Sequence, residues 1–86
     1  MQMAELAAEL ADGMFPTEVV AEVSDVDGRT VTFIAPSTRV VRRTNGRGQV
    51  RVRVVQQGSR GLVVELPGDV YGAVRYVEVP LTAVSS

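Results

Sequence analysis

Arginine is the residue type in this 86-residue chain whose density and spacing point to chemistry. Seven of the nine basic residues (Arg39, Arg42, Arg43, Arg47, Arg51, Arg53 and Arg60) lie between Thr38 and Gly61, in TRVVRRTNGRGQVRVRVVQQGSRG, with no acid among them. A guanidinium is a planar fork that can hold two oxygens of a phosphate or a carboxylate at once. Val40, Val41, Val50, Val52, Val54 and Val55 are threaded between the arginines, as in a β-hairpin with valine on one face and arginine on the other. On such a strand Arg51 and Arg53 share a face about 6.6 Å apart, near the spacing of successive phosphates. The seven arginines are therefore the candidate binding residues for an anionic partner. That partner is either nucleic-acid or nucleotide phosphate, whose binding would be salt-dependent, or an acidic protein surface.

The acids are segregated elsewhere. Residues 1–28 hold Glu5, Glu9, Asp12, Glu18, Glu22, Asp25 and Asp27 and no base, whereas residues 29–60 hold eight arginines and no acid. The remainder has Glu65, Asp69 and Glu78 against Arg75, and the net charge is −1. Opposite blocks can pair within one chain or between copies. The near-zero net charge and the absence of aromatic residues from the arginine stretch argue against a dedicated nucleic-acid binder. Lysine is absent altogether, which reflects either composition bias or a use of the guanidinium fork.

Cysteine and histidine are also absent. This excludes disulfides, thiolate nucleophiles, imidazole bases and zinc sites built from those residues. Ser59 has no histidine to activate it, so a serine triad is out. Gly58-Ser59-Arg60-Gly61 is too short for a phosphate loop. Asp25-Val26-Asp27-Gly28 opens like a calcium loop but lacks the later ligands and the closing Glu, and reads as a turn. No catalytic residues, metal or cofactor are expected, and the chain is read as a non-enzyme. The N-terminal MQMAELAAEL carries acid and no long apolar run, so it reads as neither a signal peptide nor a membrane span; the cytoplasm is the default location.

These candidates need elements to hold them. Eighteen valines and only four aromatic residues favour strands around a small aliphatic core. Residues 1–13 read as a short helix, rich in Ala, Leu, Glu and Met, with Met3, Leu6, Ala7 and Leu10 on one face and Gly13 as its stop. Glu18–Ser24 and Arg29–Ala35 form a hairpin. A three-residue loop Val26-Asp27-Gly28, with Gly28 at positive φ, pairs Val23 with Val31, Ala21 with Phe33 and Val19 with Ala35 on one face. Thr38–Arg43 is a short strand, and Asn45-Gly46 turns it into a strand from Gln49 to Gln56. Gly58-Ser59 then suits a two-residue turn. Yet placing Val52 and Val54 on one face with Val64 and Leu66 needs an odd-length loop, and the register stays open. Gly61–Leu66 is a strand, Pro67-Gly68-Asp69 a turn, and Val70–Gly72 a 3₁₀ turn or short strand. Ala73–Val79 is the last strand, closed by Pro80, after which the chain trails off.

The tail VEVPLTAV (Val77–Val84) resembles the closing strand of Sm-like and SH3-like barrels, such as the C-terminal domain of ribosome maturation factors. VAEVSDVDGRTVTFIAPS (Val20–Ser37) is similar to the first hairpin of the barrel that precedes the PilZ domain in flagellar-brake proteins. Each covers about a fifth of the chain. The first resemblance implies a small barrel. The second implies the same, beside a family that binds cyclic di-GMP through R-x-x-x-R, which Arg39–Arg43 matches as R-V-V-R-R. That family's later [DN]-x-S-x-x-G is not met, since Ser59 follows Gln57-Gly58 and Leu62 stands where the glycine should.

The expected fold is mainly β: a small antiparallel β-barrel of about six short strands with a short N-terminal α-helix. Residues 1–13 would form the helix, 14–81 the barrel and 82–86 a tail. The expected role is a non-catalytic interaction or assembly module, associating with itself or a protein partner through its acidic and arginine-rich halves. The alternative is phosphate binding by residues 39–60, and no membrane partner is expected.

Overall fold

The computed structural model describes residues 2–70 and 75–85. Strand β1 (Gln2–Asp12) occupies the place expected for the N-terminal helix, and no α-helix occurs among the described residues. Ala4, Leu6, Ala8 and Leu10 point inward and are buried, while Met3, Ala7, Glu9 and Ala11 point outward. The residue types favour a helix, but a helix of about twelve residues is marginal in water. Extended, the same residues pair with three partners. Gln2–Glu9 run antiparallel to Val54–Arg47, Glu9–Asp12 to Glu22–Val19, and Glu5–Leu6 to Ser85–Val84. Tertiary pairing overrides local propensity.

The partners are β2 (Glu18–Ser24), β5 (Arg47–Gln57) and β9 (Val84–Ser85). β2 continues into β3 (Thr30–Pro36) in the expected register, with Val23, Ala21 and Val19 opposite Val31, Phe33 and Ala35. Gly28 takes φ 80 in the three-residue loop. A 3₁₀ turn (Ser37–Arg39) leads to β4 (Val40–Thr44), whose Asn45-Gly46 turn sets Thr44 opposite Arg47. Asn45 takes φ 58, a left-handed conformation that asparagine tolerates.

The hairpin of β5 with β6 (Leu62–Glu65) settles the open register. Gln57 lies opposite Leu62, and the Gly58 N–H donates to Gly61 O at 2.8 Å, which leaves Ser59-Arg60 as a two-residue turn. A bulge at Val55 then shifts the ladder, so that Val54 faces Val64. The turn has the expected two residues but falls one position after Gly58-Ser59, and the extra residue at Val55 gives the expected face matching.

The full order is β7-β3-β2-β1-β5-β6-β8, with β4 on β5 and β9 on β1. β7 (Asp69–Val70) pairs with β3 and β8 (Tyr76–Val79) with β6, so two strands that follow one another in sequence stand at the two ends of the strand order. The Val26 N–H donates to Glu78 O at 3.0 Å and draws the β2–β3 turn onto β8. The antiparallel sheet is thereby curled into a half-barrel around one aliphatic core, with Phe33, Leu6, Leu66, Val50, Val52, Val64 and Val79 fully buried. Among the described residues nine strands replace the expected six, because β1, β7 and β9 add to the count. The tail does not trail off: a 3₁₀ turn (Leu81–Ala83) returns it to β1 as β9. The expectations for Tyr71–Val74 lie outside the described residues. No helix among the described residues is long and apolar enough to cross a membrane.

Two stability predictions follow from β1 and the turns. Ala4→Gln will cost about 2 kcal/mol or more in urea unfolding, because it forces a polar side chain into the core beside Val52. Ala7→Gln, outward on the same strand, will stay within about 0.5 kcal/mol. A helix with Ala7 on its apolar face would reverse that ranking. Gly28 and Gly68 both have φ near +80°, but a Cβ on Gly28 meets open space, whereas one on Gly68 overlaps Ile34 O. Gly28→Ala is expected to cost about 1 kcal/mol from backbone strain alone, and Gly68→Ala clearly more, read as the difference in melting temperature.

Candidate functional site

The arginine hairpin forms as β4 and β5, but its side chains do not converge on one anion site. β5 is eleven residues long, and its outward positions run Arg47, Gln49, Arg51, Arg53. Opposite them on β1 lie Glu9, Ala7, Glu5 and Met3. Glu5 and Glu9 thus each meet an arginine across the ladder, the arrangement that antiparallel neighbours reward.

β4 is irregular. Arg42 and Arg43 together oppose Gly48, and Arg42 takes φ 53, a left-handed conformation costly for a residue with a Cβ. Gly48 is required there, since a Cβ on it would lie 2.8 Å from Leu10 Cδ1 and 2.9 Å from Arg43 Cα. The bulge turns Arg42 back over the sheet, with Nε 3.2 Å from Glu5 Oε1. The Glu5 side chain is only 15% exposed, which makes this one of the better shielded pairs.

Four other arginines of the seven also hold carboxylates. Arg43 Nη2 lies 3.0 Å from Asp12 Oδ1, and Arg47 Nη2 3.7 Å from Glu9 Oε1. Arg60 Nη1 lies 2.8 Å from Asp27 Oδ1. Arg53 Nε lies 3.0 Å from Glu65 Oε1, with both side chains about two-thirds covered. Four of the five partners come from residues 1–28, so the acidic first third neutralises the arginine block within the chain. Among the described residues no ion pair reaches Arg39, half-buried at the end of its 3₁₀ turn, or Arg51, which faces solvent.

Sequence reasoning missed the residues beyond those blocks. Glu65 also accepts from the Tyr76 hydroxyl at 3.1 Å, which gives an Arg53–Glu65–Tyr76 row across β5, β6 and β8. Glu65 is the one acid in GLVVEL, the only signal that could have flagged it. Glu78 Oε2 accepts from the Arg60 N–H at 2.6 Å and fixes the β5–β6 turn. Asp25 Oδ1 accepts from the N–H groups of Asp27 and Arg29, each at 2.9 Å, so Asp25-Val26-Asp27-Gly28 is a side-chain-capped turn. Among the described residues no group of three or more acids is placed to hold a metal ion.

At the Asp27–Arg60 pair, the hydrogen bond from Arg60, helped by its charge, holds the Asp27 carboxyl below its ordinary range. The Asp27 hydrogen bond and charge push the Arg60 guanidinium up. Both groups are solvent-exposed, so the cause is pairing and not burial.

Comparison with family models, with curated proteins and with solved structures finds no match. The likenesses of Val20–Ser37 and Val77–Val84 therefore rest on those residues alone.

A carboxyl whose pKa is lowered on folding adds stability above its unfolded value, and that stability is lost as pH falls through the folded value. Asp27→Asn should therefore be less stable than the parent by a constant margin from about pH 7 to pH 5. The margin should begin to narrow below about pH 4, where the unfolded chain's carboxyl takes up its proton, and close at a lower pH, where the folded carboxyl does. Denaturant midpoints across that range will show it. A margin unchanged at pH 2 would mean that the carboxylate charge is not what the pair contributes.

Proposed function

We propose that this protein is a non-catalytic β-barrel interaction module that associates with copies of itself through charge left over after internal pairing. The observation that supports this reading is the residue set that the five ion pairs do not use. Within residues 1–60, Arg29, Arg39 and Arg51 on the basic side, and Glu18, Glu22 and Asp25 on the acidic side, have no ion-pair partner among the described residues. The halves of the sequence therefore act mostly within the fold, and a smaller complementary remainder is offered outward. Opposite charges on one surface steer association and fix orientation.

Sedimentation equilibrium at about 50 mM and about 500 mM salt tests the proposal, since exposed charges are screened over roughly 10 Å at 0.1 M. Association at the lower concentration that weakens at the higher is expected. A monomer at both overturns it.

A second reading, phosphate binding by the arginine hairpin, is favoured by its two unpaired arginines Arg39 and Arg51. Against it, Arg42, Arg43, Arg47, Arg53 and Arg60 would each have to exchange a carboxylate for a phosphate. Titration of labelled RNA and DNA against the parent and Arg51→Ala/Arg53→Ala separates the readings. Equal binding by both chains rejects the phosphate site.

A further inference from the structure

β1 is forked along one edge. β9 serves it at Glu5–Leu6, β2 serves it from Glu9 onward, and Ala7–Ala8 lie between the two. A depression of about 330 Å³ opens there. Ala7, Ala8, Gly48, Val23, Pro80 and Ala83 line it. Of these, Ala7, Ala8 and Ala83 carry only a methyl group, and Gly48 has no room for one.

The rim carries an uncompensated charge. Glu9 and Glu22 are direct cross-strand neighbours, and like charges so placed are destabilising unless a cation joins them. Arg47 reaches Glu9 at 3.7 Å, but both side chains are mostly exposed. Glu22 has no ion pair among the described residues. An apolar slot with a carboxylate at its lip fits the methylene stem and charged head of a basic side chain.

The same outward face supplies one. Arg51 is exposed, and the carboxylate opposite it, Glu5, is already held by Arg42. Arg51 sits on β5 across from Glu5, and Glu22 sits on β2 across from Glu9. β1 lies between those two strands, and Ala7 lies midway between Glu5 and Glu9. The midpoint of Arg51 and Glu22 therefore falls on Ala7. Four residues of rise and two strand spacings set the two about 16 Å apart. A two-fold axis lying between two such faces, passing over Ala7 and perpendicular to the line from Arg51 to Glu22, exchanges the positions of Arg51 and Glu22. It makes two equivalent pairs and a closed contact. At the axis itself the outward side chain of β1 is a single methyl, and the neighbouring Gln49 amide lies across β1, donating to Ser85 Oγ at 3.2 Å.

We propose that the slot beside Ala7 receives the Arg51 side chain of a second copy of this chain, so that two molecules pair through their outer sheet faces with Arg51 against Glu22 in both directions. The proposal rests on the self-association reading and locates it. A second copy is the occupant because it brings the missing cation at the position that the register requires.

The test is sedimentation equilibrium at about 50 mM salt, below the ionic strength at which screening sets in at roughly 10 Å. It compares the parent with Arg51→Glu, Glu22→Arg, the double variant Arg51→Glu/Glu22→Arg, and Ala7→Leu. All three positions are exposed, and far-ultraviolet circular dichroism checks that each variant folds. The parent is expected to form a dimer. Each single charge reversal should raise the dissociation constant at least tenfold, and the double variant should return it to within about threefold of the parent. Ala7→Leu, which fills the slot without altering charge, should weaken the dimer at least tenfold. A dimer insensitive to all of these changes would mean that the copies meet elsewhere, which overturns this inference and leaves self-association standing. A monomeric parent overturns both. A monomeric parent that binds a labelled oligo-arginine peptide, with binding lost in Glu22→Arg, would assign the slot to a foreign basic segment and remove the second copy as its occupant.

Discussion

The pairing of β1 with β5 is the contact on which the rest of the molecule depends. Eight residues of each strand face one another, from Gln2 opposite Val54 to Glu9 opposite Arg47. Inward, this sets Leu6 and Ala4 beside Val50 and Val52, all buried. Outward, it sets Glu5 and Glu9 beside Arg51 and Arg47. Every other strand among the described residues attaches to this pair directly or through one or two neighbours. β2 and β9 share the free edge of β1, and β4 and β6 share that of β5. The pair joins residues about 38 to 52 positions apart, so its loop-closure cost comes before most of its reward. The early hairpins β2–β3 and β4–β5 can form locally, and the N-terminal strand closes the sheet between them.

The same pairing governs the charges. A run of seven arginines read along the chain looks like an anion site, but the ladder turns alternate residues to opposite faces and spreads the arginines over the length of β5. Most then meet acids from the first 28 residues. Each such surface pair adds only about 0–1 kcal/mol. Their main effect is on the field: the cationic stretch presents salt bridges where the sequence suggested bare guanidinium groups. Arg53 and Glu65 depart from this, being better covered and joined by Tyr76.

Legibility in the sequence followed how far each feature depends on distant residues. The β2–β3 register was readable because alternating faces and Gly28 admit only one loop. The Asn45-Gly46 turn was readable because asparagine and glycine tolerate the backbone it needs. The β5–β6 hairpin was half readable. The turn signal and the face signal disagreed, and no residue type at Val55 announces the bulge that satisfies both. β1 was not readable, because Ala4, Ala7 and Ala8 meet a helical period and a period of two equally well. Only Glu5 and Glu9, spaced to match Arg51 and Arg47 on an antiparallel partner, favoured the strand. The pairing of acidic with basic blocks was visible as charge, but its individual partners needed that register. The short strand β9 needed β1 to be a strand in the first place.

Apart from the bulge at Val55, the departures from a regular sheet gather around residues 7–9 and 47–48. The bulge at Arg42-Arg43 stands opposite Gly48, and Gly48 lies opposite Ala8 on β1. The fork between β9 and β2 opens at the same place. A curled sheet must splay its strands somewhere, and here the splay falls where the facing side chains are smallest. Larger residues at Ala7, Ala8 or Gly48 would fill the fork, but at Gly48 they would also collide with Leu10 and with the bulge. The opening is therefore a consequence of how the hairpin is fitted to β1. The like-charged Glu9 and Glu22 flank it because both are outward residues on strands that part just beyond their pair. An unfilled slot and an unneutralised carboxylate thus share one structural cause.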